Sequence, residues 1–133
     1  MKQIVLFIAM GLLLLLTACS QPSPEVRYKD FSAKEFQQQL LSEKREYALL
    51  DVRTAEEYVK AHLENAVNWD WLEDSFESRV NALPRNEPVY LYCLSGGRSS
   101  DAKDKLVEMG FEEVHQMSGG IMEWDTEKLP VVR

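Results

Sequence analysis

The sequence predicts an α/β domain: a small, mostly parallel sheet flanked by helices on both faces. Short β-prone runs alternate with helical segments from Phe31 onward. The runs 47–52 and 89–92 are mostly apolar in consecutive positions, as strands covered on both faces are. A length of 133 residues fits one domain with a single core, and no internal repeat is visible.

The elements follow in order. Ser32-Ala33-Lys34-Glu35 is a capping box, with Phe31 and Phe36 at the two positions of a hydrophobic staple. A helix is therefore expected from about Ser32 to Ser42 or Glu43, with Phe36 and Leu40 facing the core. Tyr47 to Val52 predicts a buried strand. Thr54-Ala55-Glu56-Glu57 is a second capping box, opening a helix to about His62. Ala66 to Trp69 is a short strand candidate. Ser75 to Leu83 carries Phe76, Val80 and Leu83 at helical spacing and stops at Pro84. Val89 to Tyr92 predicts the central strand. A helix follows from about Ser99 to Met109, with Gly110 as its stop. Glu113 to Met117 is a last strand, and Gly119-Gly120 introduces a terminal helix holding Ile121 and Trp124.

The first thirty residues speak to location. Ile4 to Leu16 is apolar, but shorter than the roughly 20 residues a spanning helix needs, and it has the character of a signal-peptide core. It ends in Leu16-Thr17-Ala18-Cys19-Ser20, which resembles the bacterial lipoprotein box. The expected organisation is a lipoprotein signal peptide over 1–18, lipidated Cys19 with a Pro-containing tether over 19–30, and a folded domain over 31–133. Acyl chains on Cys19, at roughly 0.8 kcal/mol per buried CH₂, would hold the chain on a membrane of the cell envelope. It would face the periplasm or exterior, and Ser20 at the second mature position favours the outer membrane.

Fifteen Lys and Arg against 22 Asp and Glu give a net charge of −7 without a basic stripe, so nucleic acid is not an expected partner. Two histidines and one unlipidated cysteine show no metal-ligand spacing, and no metal or cofactor is expected.

The most informative segment is Val89 to Ser100. A β-prone run delivers Cys93 into the turn Leu94-Ser95-Gly96-Gly97, which passes directly into Arg98-Ser99 at a helix start. Backbone N–H groups in such a turn converge on the sulfur; the helix N-terminus adds partial positive charge and Arg98 a full one. A sulfur so placed is a nucleophile. With Cys19 consumed by lipid, Cys93 has no partner in the chain.

In these residues the chain resembles the rhodanese-like domain, a single-domain sulfurtransferase fold, over about Phe31 to Pro130. The landmarks are Leu50-Asp51-Val52-Arg53, Glu57-Tyr58, His62-Leu63 with Ala66 and Asn68, Leu83-Pro84 ahead of Pro88, the loop Cys93 to Ser99, and Gly119-Gly120 with Trp124. The resemblance implies double displacement. Cys93 takes the outer sulfur of a donor such as thiosulfate as a persulfide, and a thiol, cyanide or protein acceptor removes it. The N–H groups of Leu94, Ser95, Gly96, Gly97, Arg98 and Ser99 would bind the anions, and Arg98 the donor's sulfonate. Four residues separate Cys93 from Arg98, one fewer than in tyrosine phosphatases, which suits a terminal sulfur better than a phosphate.

Two positions depart from the family pattern. Leu94 stands where many active members have a basic residue, which makes thiosulfate a poorer donor and a persulfidated thiol a better one. Asn65 replaces a usual glycine, and Asn tolerates a left-handed backbone. Asp51 and Arg53 end a strand, where open α/β sheets place their sites, and resemble supporting residues that tie loops together. His62 is expected to pack near a helix end, His115 to be exposed, and Trp69, Trp71 and Trp124 to serve mainly in packing. The rival readings are a noncatalytic sulfur carrier or protein-binding module, and a redox or phosphatase-like enzyme, which the lone thiol and the short loop disfavour.

Overall fold

The computed structural model describes residues 25–133, so the expected signal segment and Cys19 lie outside the described residues. The described chain forms β1 (Arg27–Phe31), α1 (Ala33–Ser42), β2 (Ala48–Asp51), α2 (Ala55–Lys60) and β3 (Val67–Asn68). It continues through α3 (Phe76–Asn81), β4 (Val89–Tyr92), α4 (Gly97–Glu108), β5 (Glu113–Met117) and α5 (Gly120–Thr126). The five strands make one sheet in the order β1-β5-β4-β2-β3, every neighbouring pair parallel.

Strand pleating sorts the core into two layers, because successive side chains point to opposite faces. On one side Phe31, Leu49, Tyr90, Tyr92 and Met117 pack with Phe36 of α1 and with Ile121 and Trp124 of α5. On the other side Leu50, Val52, Val89, Leu91 and Val114 pack with Phe76 and Val80 of α3 and Ala102 and Leu106 of α4. Both predicted capping boxes are present, Ser32 with Glu35 and Thr54 with Glu57. Asn65 takes the left-handed conformation expected of it, at φ 65°.

Several boundaries or placements differ from the sequence reading, four of them with an identifiable cause or consequence. Residues 27–30, expected in the tether, belong to β1, which pairs with β5 from Arg27 opposite Glu113 to Phe31 opposite Met117. As an edge strand, β1 is exposed at every residue but Phe31, so it carries no apolar pattern. Helix α2 stops at Lys60 because His62 leaves the helix to exchange backbone hydrogen bonds with Val132, at 3.0 and 2.8 Å. Helix α4 begins two residues early, at Gly97. His115 is buried, not exposed: it lies opposite Tyr90 in the sheet, with its ring centroid 5.2 Å from that of Tyr90 and 5.4 Å from that of Phe31.

At the N-terminal end of β5 a buried carboxylate gathers the charges of that end of the sheet. Glu113 receives Arg45 at 2.8 Å and Arg27 at 2.7 Å, and lies 2.9 Å from His115 Nε2. Arg45 also holds Glu43, which accepts the Tyr90 hydroxyl. The Arg45 guanidinium is the main influence holding each carboxyl, Glu43 and Glu113, down at about 2. A carboxyl whose folded pKa lies below its unfolded value stabilises the fold above the unfolded value, near pH 4.3, and that contribution is lost as pH falls toward 2. The melting temperature is therefore expected to fall steeply between about pH 5 and pH 2. Glu113→Gln is expected to be less stable at pH 7 and to show a shallower fall on calorimetric scans across that range.

Candidate active site

All four residues of β4 are buried, and their alternation aims the next residue. Val89 and Leu91 face the α3–α4 layer, so Cys93, which continues their register, faces it too. Cys93 is 1% exposed. It lies just past the C-terminal end of a central strand, where open parallel sheets place their sites.

The chain then turns sharply. Gly96 adopts φ 105° as the residue preceding α4, and a Cβ there would collide with the Ser118 carbonyl. This turn brings the Gly96 N–H to 3.1 Å from Cys93 Sγ, and the Ser99 hydroxyl, in the first turn of α4, to 3.4 Å. Behind the loop, the Ile121 and Met122 amides at the start of α5 donate to the Cys93 and Leu94 carbonyls at 3.0 and 3.1 Å. Gly120, at φ 62°, permits that approach, since a Cβ there would overlap the Leu94 carbonyl.

Burial pushes the Cys93 thiol up, but the Ser99 hydroxyl and the amides of Ser99, Gly96 and Ser95 outweigh it. The thiol lies below its ordinary value. Ser99 Oγ lies 2.8 Å from Gln116 Oε1 and 3.2 Å from the Gly96 carbonyl, yet a hydroxyl has one proton to give. With Cys93 protonated, the thiol donates to Ser99 and Ser99 to Gln116. With Cys93 ionised, the Ser99 proton is the one side-chain donor that can turn to the sulfur.

Arg98 does not reach across the loop as a free guanidinium. It grips Glu57 bidentately, Nη1 to Oε2 at 2.8 Å and Nη2 to Oε1 at 2.9 Å. A cavity of about 350 Å³ opens at the edge of the loop, walled by Leu94, Ile121, Met122 and Val131, with Glu57, Asp125, Arg53 and Lys60 as its charged lining. Leu94 is 39% exposed there. Gly97 starts α4 with open space where a Cβ would stand.

The sequence matches the family described as the rhodanese-like domain over residues 32–127. The chain belongs to the rhodanese-like family. It is 35% identical over 101 residues to the putative sulfur carrier protein YrkF of Bacillus subtilis, covering 76% of this chain and 50% of that one. It is 31% identical over 84 residues to the thiosulfate sulfurtransferase GlpE of Coxiella burnetii, covering 63% of this chain and 77% of that one. The crystal structure of a rhodanese-related protein from Thermoplasma volcanium superposes with a TM-score of 0.67 at 27% identity, covering 79% of this chain and 98% of that one. The chain spans about half the length of several curated relatives it matches.

In this rhodanese-like domain Asp51 and Arg53 form a buried pair below the loop, at 0% and 4% exposure. Arg53 Nη2 donates to Asp51 Oδ2 at 2.6 Å and to the Ala61 carbonyl at 2.6 Å. The Tyr92 hydroxyl donates to Asp51 at 2.7 Å and accepts the Leu63 N–H at 3.1 Å. The pair thereby ties the ends of β2, β4 and α2 together, and neither residue contacts the sulfur. His62 stacks on Tyr58 with its Nδ1 2.9 Å from the Tyr58 carbonyl. Trp69 and Trp71 pack against the α3–α4 layer, and Trp124 donates to the Pro130 carbonyl.

Sequence reasoning missed two residues of the site. Glu57 carried a signal, the capping box, which accounted for it without pointing at Arg98. Gln116 carried only its presence as an amide on a strand that proves wholly buried.

Ser99→Ala removes the side-chain donor to the sulfur, so alkylation of Cys93 by iodoacetamide at pH 7 is expected to slow by about tenfold, with its pH profile moved upward. Asp51→Ala leaves a buried guanidinium uncompensated. Denaturant titration is expected to show a loss of about 3–5 kcal/mol.

Proposed function

We propose that the protein is a sulfurtransferase that moves sulfane sulfur through a persulfide on Cys93. The observation that carries this is the sulfur's cradle: one thiol, turned by β4 into a ring of amides and a hydroxyl at the start of α4, and held below its ordinary pKa. In the first step the Cys93 thiolate attacks the outer sulfur of thiosulfate. One S–S bond forms, the donor's S–S bond breaks, and its electron pair leaves with sulfite. In the second step a thiolate or cyanide attacks that outer sulfur, giving a persulfide or thiocyanate and restoring the Cys93 thiolate.

The cradle amides stabilise both the thiolate and the terminal persulfide anion, in the way preorganised donors stabilise developing charge. Family membership supports the chemistry in general, and the names of the Bacillus and Coxiella relatives favour sulfur carriage and thiosulfate transfer respectively. The carrier reading is the second candidate, favoured by the name of the Bacillus relative. A lipid on Cys19 would keep the activity at the surface of an envelope membrane, on a tether ending at β1.

The domain, incubated with thiosulfate and then cyanide, is expected to yield thiocyanate, and Cys93→Ala is expected to fall to the uncatalysed background. Turnover of the wild-type protein no faster than that of the variant, read as thiocyanate formed, sinks the catalytic reading for this donor. Sulfur mass added to Cys93 without turnover selects the carrier.

A further inference from the structure

The geometry points to Glu57 as the residue that sets donor specificity: by gripping Arg98 it turns the loop away from sulfonate-bearing donors and toward small organic persulfides, R–S–SH. This rests on the sulfurtransferase reading above and names the substrate class of the same site.

The argument begins with what each donor asks of the loop. Thiosulfate brings a sulfonate that must be held on entry and then leaves as sulfite, a dianion. Arg98 is the one cation of the segment Cys93–Ser99, since the residue after Cys93 is Leu94. Its guanidinium is already matched, both outer nitrogens within 2.9 Å of the Glu57 carboxylate, in the fork geometry that makes such pairs strong and specific. The two side chains are 25% and 26% exposed, so the pair is partly shielded from water and salt. Asp70 adds further negative charge near the same guanidinium. A sulfonate entering this loop must displace Glu57 or approach an arginine whose charge is already matched, and the two cations lining the adjoining cavity, Arg53 and Lys60, are themselves paired with Asp51 and Glu56.

A persulfide makes no such demand. Cys93–S⁻ attacks the terminal sulfur of R–S–SH. The new bond gives Cys93–S–SH, the donor's S–S bond breaks, and the electron pair leaves as R–S⁻, with no change in the number of protons or in total charge. The leaving group needs an apolar wall rather than an oxyanion site, and the cavity beside Leu94 supplies one through Ile121, Met122 and Val131. Its volume of about 350 Å³ lies in the range of small-molecule sites.

Glu57 has a second task, which makes the test clean. Its Oε2 accepts the Thr54 N–H at 3.0 Å and the Thr54 hydroxyl at 3.1 Å, closing the α2 capping box. Glutamine preserves that cap and removes the charge. Single-turnover loading of Cys93, read by intact mass, is to be measured against donor concentration for thiosulfate and for cysteine persulfide in the wild type, Glu57→Gln and Glu57→Ala.

Glu57→Gln is expected to raise the ratio of thiosulfate to persulfide loading efficiency by roughly three- to tenfold. The gain should appear in the half-saturating thiosulfate concentration rather than in the limiting rate. Glu57→Ala is expected to show the same ratio change with a lower melting temperature, because it also loses the cap. A purely structural Glu57 would weaken both donors together and leave the ratio unmoved. An unchanged or lowered ratio in Glu57→Gln overturns the inference while leaving sulfur transfer intact; failure of the wild type to take sulfur from either donor overturns the sulfurtransferase reading itself.

Discussion

A sulfur atom must be kept ionisable in a place with almost no water, and the rest of this structure answers to that constraint. Removing a thiolate from solvent is costly, and the cost is met here by donors fixed before the charge appears. The donors are main-chain amides and one hydroxyl, so their positions depend on backbone path rather than on long side chains. The left-handed turn at Gly96 and the tight approach at Gly120 are the geometric conditions for that path. The α5 amides that bind the Cys93 and Leu94 carbonyls hold the loop from behind.

The two ends of the parallel sheet divide the labour. At the N-terminal end, Glu113 and Glu43 are surrounded by arginines and contribute to the fold without touching the site. At the C-terminal end the charges are arranged in pairs that do not hydrogen-bond the sulfur. Asp51 and Arg53 satisfy each other, Tyr92 and a helix-end carbonyl, which fixes the ends of three elements. Breaking such a pair exposes a buried charge, whereas its net contribution when intact is small. Its role is therefore positional: Tyr92, whose hydroxyl reaches Asp51, is the residue immediately before Cys93.

Most of this was legible in the sequence because it is written in local chemistry. Both capping boxes, the strand β4, the cysteine turn and the Gly110 stop depend on neighbours within a few residues. What escaped depends on partners far away in the chain. β1 is polar because it is an edge strand, and only pairing with β5 marks it as a strand. His115 is buried by Phe31 and Tyr90, neither near it in sequence. Glu57 presents a complete local explanation as a cap, and its bond to Arg98, 41 residues later, leaves no trace in a helical pattern.

Arg98 shows how a side chain outside the amide cradle changes what a loop of this geometry presents to an anion. An arginine at the head of a loop like this is either free, and then an anion receptor, or paired, and then part of the wall. The bidentate fork sets those states against each other, because the carboxylate that holds both outer nitrogens also cancels the charge that would draw an anion. The backbone cradle is indifferent to that choice, since its N–H groups address the Cys93 sulfur and not the arginine. In the sulfurtransferase we propose, nucleophile activation and donor selection rest on different groups, one on main chain at the end of β4 and the other on a side chain of α2. Under that proposal a change at Glu57 alters the charge offered to a donor without moving the main-chain groups that hold the sulfur.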